Sequence, residues 1–281
     1  MTRDKLYLIR IEFKIYVQRK ELEWLLQDQV HQVLEEVHET LVECCRRFLI
    51  KASPDFSFEE EVTPTDGGDN SLVHSQRILM SSPNGGINQV KCVITLLGDS
   101  ICDADITFKH KHGKDHSQFR TGFGQERVWK LQQIQDASNF LYTARLCVEG
   151  QDKDHTYKSA KEVILILDEV MKNLSQGRSC LAFPKRKSLD ELVNNVNMQM
   201  LYPHVPNDVA LSFYVHSSKL VLALYHLHLN GQQRVDITSR NQVECTIQWL
   251  NEAVMLFTLA LQQCQQLKDK IVVLQQYEKV L

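Results

Sequence analysis

Between Glu21 and Ile50 the apolar residues Leu26, Val30, Val33, Val37, Leu41, Cys44 and Phe48 recur every three or four positions, on one face of a helix. The pattern stops near Ser53-Pro54, since proline disfavours a helical residue before it and has no amide to donate. Residues 51–71 collect Ser, Pro, Thr, Asp, Gly and Glu and read as a flexible loop. The period then changes. Leu72 to Met80 and Ile87 to Leu97 flank Pro83-Asn84-Gly85-Gly86, and Ile101 to Phe108 follows Gly98-Asp99, which is turn chemistry for antiparallel strands. Alternation puts Val90, Cys92, Ile94 and Leu96 on one face of one strand, and Cys102, Ala104, Ile106 and Phe108 on one face of the next.

Helical spacing returns at Gln125, with Val128, Leu131, Ile134, Leu141, Ala144 and Val148, and again at Tyr157, Ala160, Ile164, Leu167, Met171 and Leu174. The short link between these stretches predicts an antiparallel pair. A smaller helix is expected from Ser188 to Met200, because Ser188 and Glu191 have capping-box spacing. Val209–Val215 and Leu220–Leu229 read as a second hairpin broken at Ser217-Ser218-Lys219. Its second arm is apolar on both alternating faces, so a buried helix competes with that reading.

The last segment is the most regular. Asn241 and Glu244 suit a helix cap, and Ile247, Leu250, Val254, Phe257, Leu261 and Cys264 alternate by three and four, continued after a phase slip by Leu267, Ile271 and Leu274. Such a helix spans about 50 Å. This zipper stripe needs a cover, either from the other long helices of the chain or from a second chain in a coiled coil. The first is preferred, because three other amphipathic helices would otherwise lie bare. The expected fold is α+β, mainly α. An antiparallel four-helix bundle comprises residues 19–50, 125–180 and 241–281, and a β domain is built from the inserted segments 72–124 and 205–240. Residues 1–18, with alternating Ile9, Ile11, Phe13, Ile15 and Val17, form a solvated or strand-like arm.

Composition narrows the function. The 281 residues carry a net charge of −3, which argues against the clustered Lys and Arg of a nucleic-acid surface. The longest uninterrupted apolar run, Leu220 to Tyr225, is six residues, whereas a membrane-spanning helix needs about 20. Arg3, Lys5, Arg10, Lys14, Arg19 and Lys20 face only Asp4 and Glu12 near the N-terminus, without the continuous apolar region of a secretory signal. The eight cysteines include no C-x-x-C pair and several fall at apolar positions, so they are expected as reduced, core-filling thiols in a cytoplasmic protein.

Candidate chemistry is thin. His110, His112 and His116 lie near Cys102, Asp103 and Asp105, but Lys109, Lys111 and Lys114 would repel a cation, and a solvated loop is the preferred reading. His226 with His228, and His31 with His38, share faces as structural or surface pairs. Thr121-Gly122-Phe123-Gly124 offers a weak phosphate cradle before the helix at Gln125, read instead as a strand-to-helix turn. Lys185-Arg186-Lys187 is an exposed basic linker. No G-x-S-x-G elbow or other local nucleophile motif occurs. The expectation is a non-enzyme with no catalytic residue, metal or cofactor.

Several segments resemble the Rogdi leucine zipper family: Glu23-Trp24-Leu25-Leu26, Val30-His31 and Val33-Leu34, the run Trp129-Lys130-Leu131-Gln132-Gln133-Ile134-Gln135-Asp136-Ala137, Val243-Glu244-Cys245, Trp249-Leu250-Asn251, and Cys264-Gln265-Gln266-Leu267-Lys268-Asp269-Lys270-Ile271. The resemblance implies a helical bundle with the zipper packed inside it, beside a β domain. It also implies a non-enzymatic subunit of the RAVE complex. Such a subunit partners Rabconnectin-type WD-propeller proteins and the peripheral sector of the vacuolar proton-pumping ATPase, and the preference for covering the zipper within one chain makes a monomer the expectation for the chain by itself. It acts in vesicle acidification in the cytoplasm, at synaptic vesicles in neurons, with nuclear locations also attributed to the family. The alternative is a homodimerising coiled-coil regulator in the nucleus. Residues 1–18 do not resemble the family, and Asn230–Arg240 looks shorter than in its vertebrate members.

Overall fold

The structure, a computed structural model, describes residues 3–48, 75–82, 90–112, 115–124, 126–185, 187–229 and 235–276. The expected flexible loop at 51–71 and the turn at Pro83 to Gly86 lie outside them. The chain mixes helices with two antiparallel sheets. In order, α1 (Arg3–Trp24) passes through a π turn (Leu25–Gln29) into α2 (Val30–Phe48). Then come β1 (Gln76–Ser81), β2 (Val90–Leu97), β3 (Ser100–His112), β4 (Asp115–Phe123) and β5 (Trp129–Lys130). Next are α3 (Gln132–Glu149), α4 (Ala160–Ala182), α5 (Leu189–Val193) and a 3-10 turn (Val196–Met200). β6 (Val209–His216), β7 (Lys219–Leu229), β8 (Val235–Thr246) and α6 (Gln248–Gln275) close the order. The described residues hold one α-helix beyond the four bundle helices and the smaller one that the sequence reading expected, α1, and the four-helix bundle as such is not established. Two compact units result, one of Met1–Cys45, Asn139–Arg178 and Met255–Leu281, the other of Arg46–Ser138 and Ser179–Val254.

Four of the long helices, α2, α3, α4 and α6, share one rule. Buried positions alternate by three and four in α2 (Val30, Leu34, Val37, Leu41, Cys44, Phe48), in α3 (Ile134, Ala137, Leu141, Ala144, Val148) and in α4 (Ala160, Val163, Leu167, Val170, Leu174). In α6 the line runs through Leu250, Ala253, Phe257, Ala260, Cys264, Leu267, Ile271 and Leu274, with Ile247 buried just before it. Val254 and Leu261 are half-buried. The phase slip in the expected stripe disappears once the two alanines are counted, because hydropathy picks the larger of two neighbours and geometry does not. In the helical unit, Lys268 Nζ of α6 lies 2.5 Å from Asp168 of α4, and Thr40 of α2 donates to Gln263 of α6 over 3.3 Å.

α1 corrects the expected arm: the period-two alternation of Ile9 to Val17 lies on a helix and distributes those side chains around it. The helix expected from Gln125 starts at Gln132, because Trp129 and Lys130 pair as β5 with β3. The helix expected from Asn241 starts at Gln248, since Val235–Thr246 is consumed as β8 along β7. Residues 189–200 form α5 and a 3-10 turn rather than one helix, with the Ser188–Glu191 capping box formed as the spacing predicts.

In the second unit the sheets run β1-β2-β3-β4, with β5 also on β3, and β6-β7-β8. β2 alternates as expected, burying Val90, Cys92, Ile94 and Leu96. On β3 a bulge opposite Thr95 and Leu96 skips Cys102, so Ile101 rather than Cys102 joins Ala104, Ile106 and Phe108 inside. The second hairpin is a hairpin. In its second arm every residue from Leu220 to Leu224 is buried, on both alternating faces, which explains why the period of that arm fits a helix as well as a strand. Its turn residues Ser217 and Ser218 both have positive φ, 50° and 60°. Their amides donate to Ala182 O at 3.0 Å and Leu181 O at 3.2 Å, satisfying carbonyls at the end of α4. One side chain completes that joint: the buried Gln133 donates from Nε2 toward Cys180 O, Phe183 O and Val215 O at 2.8, 2.9 and 2.9 Å, and accepts the Val215 amide at 2.8 Å.

Candidate functional site

The second unit brings together two histidines that are far apart in sequence. His110 lies on the inward face of β3 and is buried, not in a solvated loop as the polar sequence around it suggested. Its Nε2 lies 3.0 Å from both carboxylate oxygens of Asp208, the residue preceding β6. Asp208 is itself fixed by its own carbonyl, which accepts the Leu227 amide at 2.7 Å. His226 of β7 stacks with His110 at 6.5 Å between ring centroids. Burial pushes the His226 imidazole below its usual range; charge on His110 adds to that and Asp208 opposes it. The cluster ties β3 to the residue that opens β6 and to the inner face of β7. No periodicity argument could have joined residues 98 positions apart. The side chains of His112 and His116 lie outside the described residues. Among the described residues, no group of three His, Cys, Asp or Glu is arranged to hold a metal ion.

In the helical unit, His31 and His38 of α2 make separate contacts rather than a pair. His31 Nε2 is 2.8 Å from His155 O and its ring is 5.0 Å from the buried Tyr157 ring. His38 Nε2 pairs with Glu149 at 3.0 Å. His155 in turn bonds Glu162 at 2.7 Å, and that bond first, with the Lys158 amide second, holds the Glu162 carboxyl below its usual range. These contacts pin the α3–α4 link onto α2.

Thr121 to Gly124 forms no phosphate cradle. The Gly122 amide donates to Tyr202 O at 3.2 Å and the Tyr202 amide to Gly122 O at 2.8 Å, so the Gly122 amide is spent on a backbone bridge and is not offered to an anion. A side chain at 122 would also place its Cβ 2.1 Å from Ala104 O, which explains the glycine by close approach of two strands. Beside it lies a groove of about 320 Å³, lined by Phe123, Arg127, Met200, Tyr202 and His204, in which Arg127 is engaged with Gln199 O and Met200 O.

Three of the eight thiols, Cys44, Cys92 and Cys264, are buried in the core as expected, and the other five are half-buried. Burial pushes the Cys92 thiol up, with Asp105 adding to it, and raises Cys264 on α6 to about 12. Neither is a nucleophile at neutral pH. The described helices include none long and apolar enough to cross a membrane. What remains is surface.

Residues 21–240 match the family model of Rogdi leucine zipper containing proteins. The chain is 39% identical over 258 residues to Protein rogdi of Drosophila melanogaster, covering 92% of this chain and 88% of that one. It is 32% identical over 286 residues to Protein rogdi homolog of Homo sapiens, covering 93% of each. To Protein rogdi homolog of Caenorhabditis elegans it is 26% identical over 217 residues, 73% of this chain and 71% of that one. These names describe no reaction.

Proposed function

The chain belongs to the Rogdi leucine zipper family, and from that footing we propose that it is a non-catalytic adaptor, the second subunit of a RAVE-type assembly complex. In this reading it binds Rabconnectin-type WD-propeller proteins and the peripheral sector of the vacuolar proton-pumping ATPase. It helps rejoin that sector to its membrane sector and so promotes acidification of vesicles, including synaptic vesicles in neurons. The chain works from the cytoplasm and reaches the membrane through its partners. The helical unit acts as an antiparallel four-helix bundle, a monomeric platform whose interior is occupied by the zipper segment.

The observation that carries this reading over a homodimeric, nuclear zipper is the burial of the α6 stripe within a single chain. Phe257, Cys264 and Ile271 have no exposed surface, leaving nothing of that seam for a second copy. The test is quantitative affinity capture from cytosolic extract with the folded chain as bait and Phe257→Asp as the control. Enrichment of propeller proteins and peripheral ATPase subunits on the folded chain alone is expected. Recovery of only the chain itself would overturn the adaptor reading.

A further inference from the structure

Three segments of the second unit meet at one carboxylate. The link before β6 brings Asp208 against β3, where both carboxylate oxygens lie 3.0 Å from His110 Nε2, and the Asp208 carbonyl accepts the Leu227 amide of β7 at 2.7 Å. His226, one residue before Leu227, stacks on His110 and lies opposite Val209 in the β6–β7 register. The ladder from β7 to β8 is interrupted at the same point. Its register shifts between His226 and Leu227, and the Thr238 hydroxyl donates to His226 O at 3.1 Å.

The arrangement sets one negative charge before two imidazoles. His110 engages that charge from inside, with 10% of its side chain exposed. His226 is half-buried, so protons reach it without unfolding, yet among the described residues no second carboxylate answers them. β6 faces it with Val209 and β8 with Ser239, and the charged groups that act on it are His110 from β3 and Asp208 from the link. Next to these, β4 offers His110 only Ser117, Lys109 points to the other face of β3, and His228, next on the same face of β7, is exposed. The imidazolium at 226 is disfavoured by burial first and by charge on His110 second, against the pull of Asp208. Parted from β3, His226 regains water and the ordinary histidine affinity for protons. The closed form therefore keeps its full stability above the ordinary histidine value, loses it as pH falls below that value, and stops losing it below the depressed one.

We propose that His226 is the sensing residue of a proton-operated latch, in which acidification parts the open end of the β6–β7 hairpin from β3 while the rest of the unit stays folded. The latch draws on the second unit alone and does not depend on the adaptor reading. The test is native-state hydrogen exchange on the full chain, corrected for the intrinsic effect of pH, beside an NMR titration of its histidines that needs no variant. Between about pH 7.5 and about pH 5.5, protection of the Leu227 amide should fall about threefold or more, while that of Ile94 on β2 holds. His226→Gln should keep the protection seen at the higher pH and abolish its pH dependence, and Asp208→Asn should lower protection at both. Three results would overturn the latch: His226 titrating at or above the ordinary histidine value, an undiminished pH dependence in His226→Gln, or an equal loss at Ile94, the mark of global unfolding.

Discussion

α1 and α6 are both long helices rich in large apolar residues, and the chain treats them in opposite ways. α6 concentrates its apolar groups on positions that alternate by three and four, and that line is buried from Leu250 to Leu274. α1 spreads its apolar groups over two sides, and from Ile9 on, where its side chains are described, it buries no residue before Leu22. Apolar content alone therefore does not decide burial; angular concentration does, because a bundle can cover only one stripe of each helix. A helix that is apolar but not concentrated leaves much of its apolar surface bare.

The contrast can be broken most severely at the centre of α6. Phe257→Asp should abolish stable folding, since a carboxylate at a position with no exposed surface cannot keep its hydration, and loss of cooperative melting by circular dichroism would register it. Leu250→Ala on the same line should cost about 2 to 5 kcal/mol in chemical denaturation. Half a step off the line the cost falls: Val254→Asp should remove only about 1 to 3 kcal/mol, and equality with Phe257→Asp would show that the burial line has been misplaced. At the small end, Phe13→Ser on α1 should change stability by less than about 0.5 kcal/mol. Thiol labelling sharpens the same point without a stability measurement. Cys264, with its thiol at about 12, should resist a maleimide in the native state, while Phe13→Cys should react at the rate of a free peptide.

Much of this architecture could be read from the chain. The helices α2, α3, α4 and α6, the β2–β3 pairing and the Ser188 cap follow from spacing and turn chemistry. The failures share a cause. A stripe drawn from size and hydropathy runs through Val33, Ile164, Met171, Val254 and Leu261, which rival or exceed their neighbours Leu34, Val163, Val170, Ala253 and Ala260 on one scale or the other, yet the strict alternation of buried positions runs through the second set. β8 was missed because its burial pattern is mostly exposed, so it carries little alternation of its own and exists through the edge that β7 offers it. The exchange of Ile101 for Cys102 depended on a bulge, which no single-strand pattern encodes. The histidine cluster was half legible. His110 and His226 were each singled out, but Asp208 was not, and their meeting depends on the packing of two sheets. The run Trp129 to Ala137 was recognised by resemblance, and the fold supplies its physical content. Trp129 lies against Phe213 at 5.1 Å, the Leu131 amide reaches Asp99 O at 2.7 Å, and Ile134 and Ala137 are fully buried.

Gln133, within that run, is a single amide group to which two separate stretches of backbone are tied, Cys180–Phe183 at the end of α4 and Val215 on β6. Its hydrolysis to a carboxylate would exchange a donor for an acceptor in front of three carbonyl oxygens, a reversal the joint has no means to answer. The same burial that makes the amide indispensable keeps water away from it. The folded chain thus shields from chemical ageing the very group on which its folding leans, and each passage through the unfolded state exposes that group again.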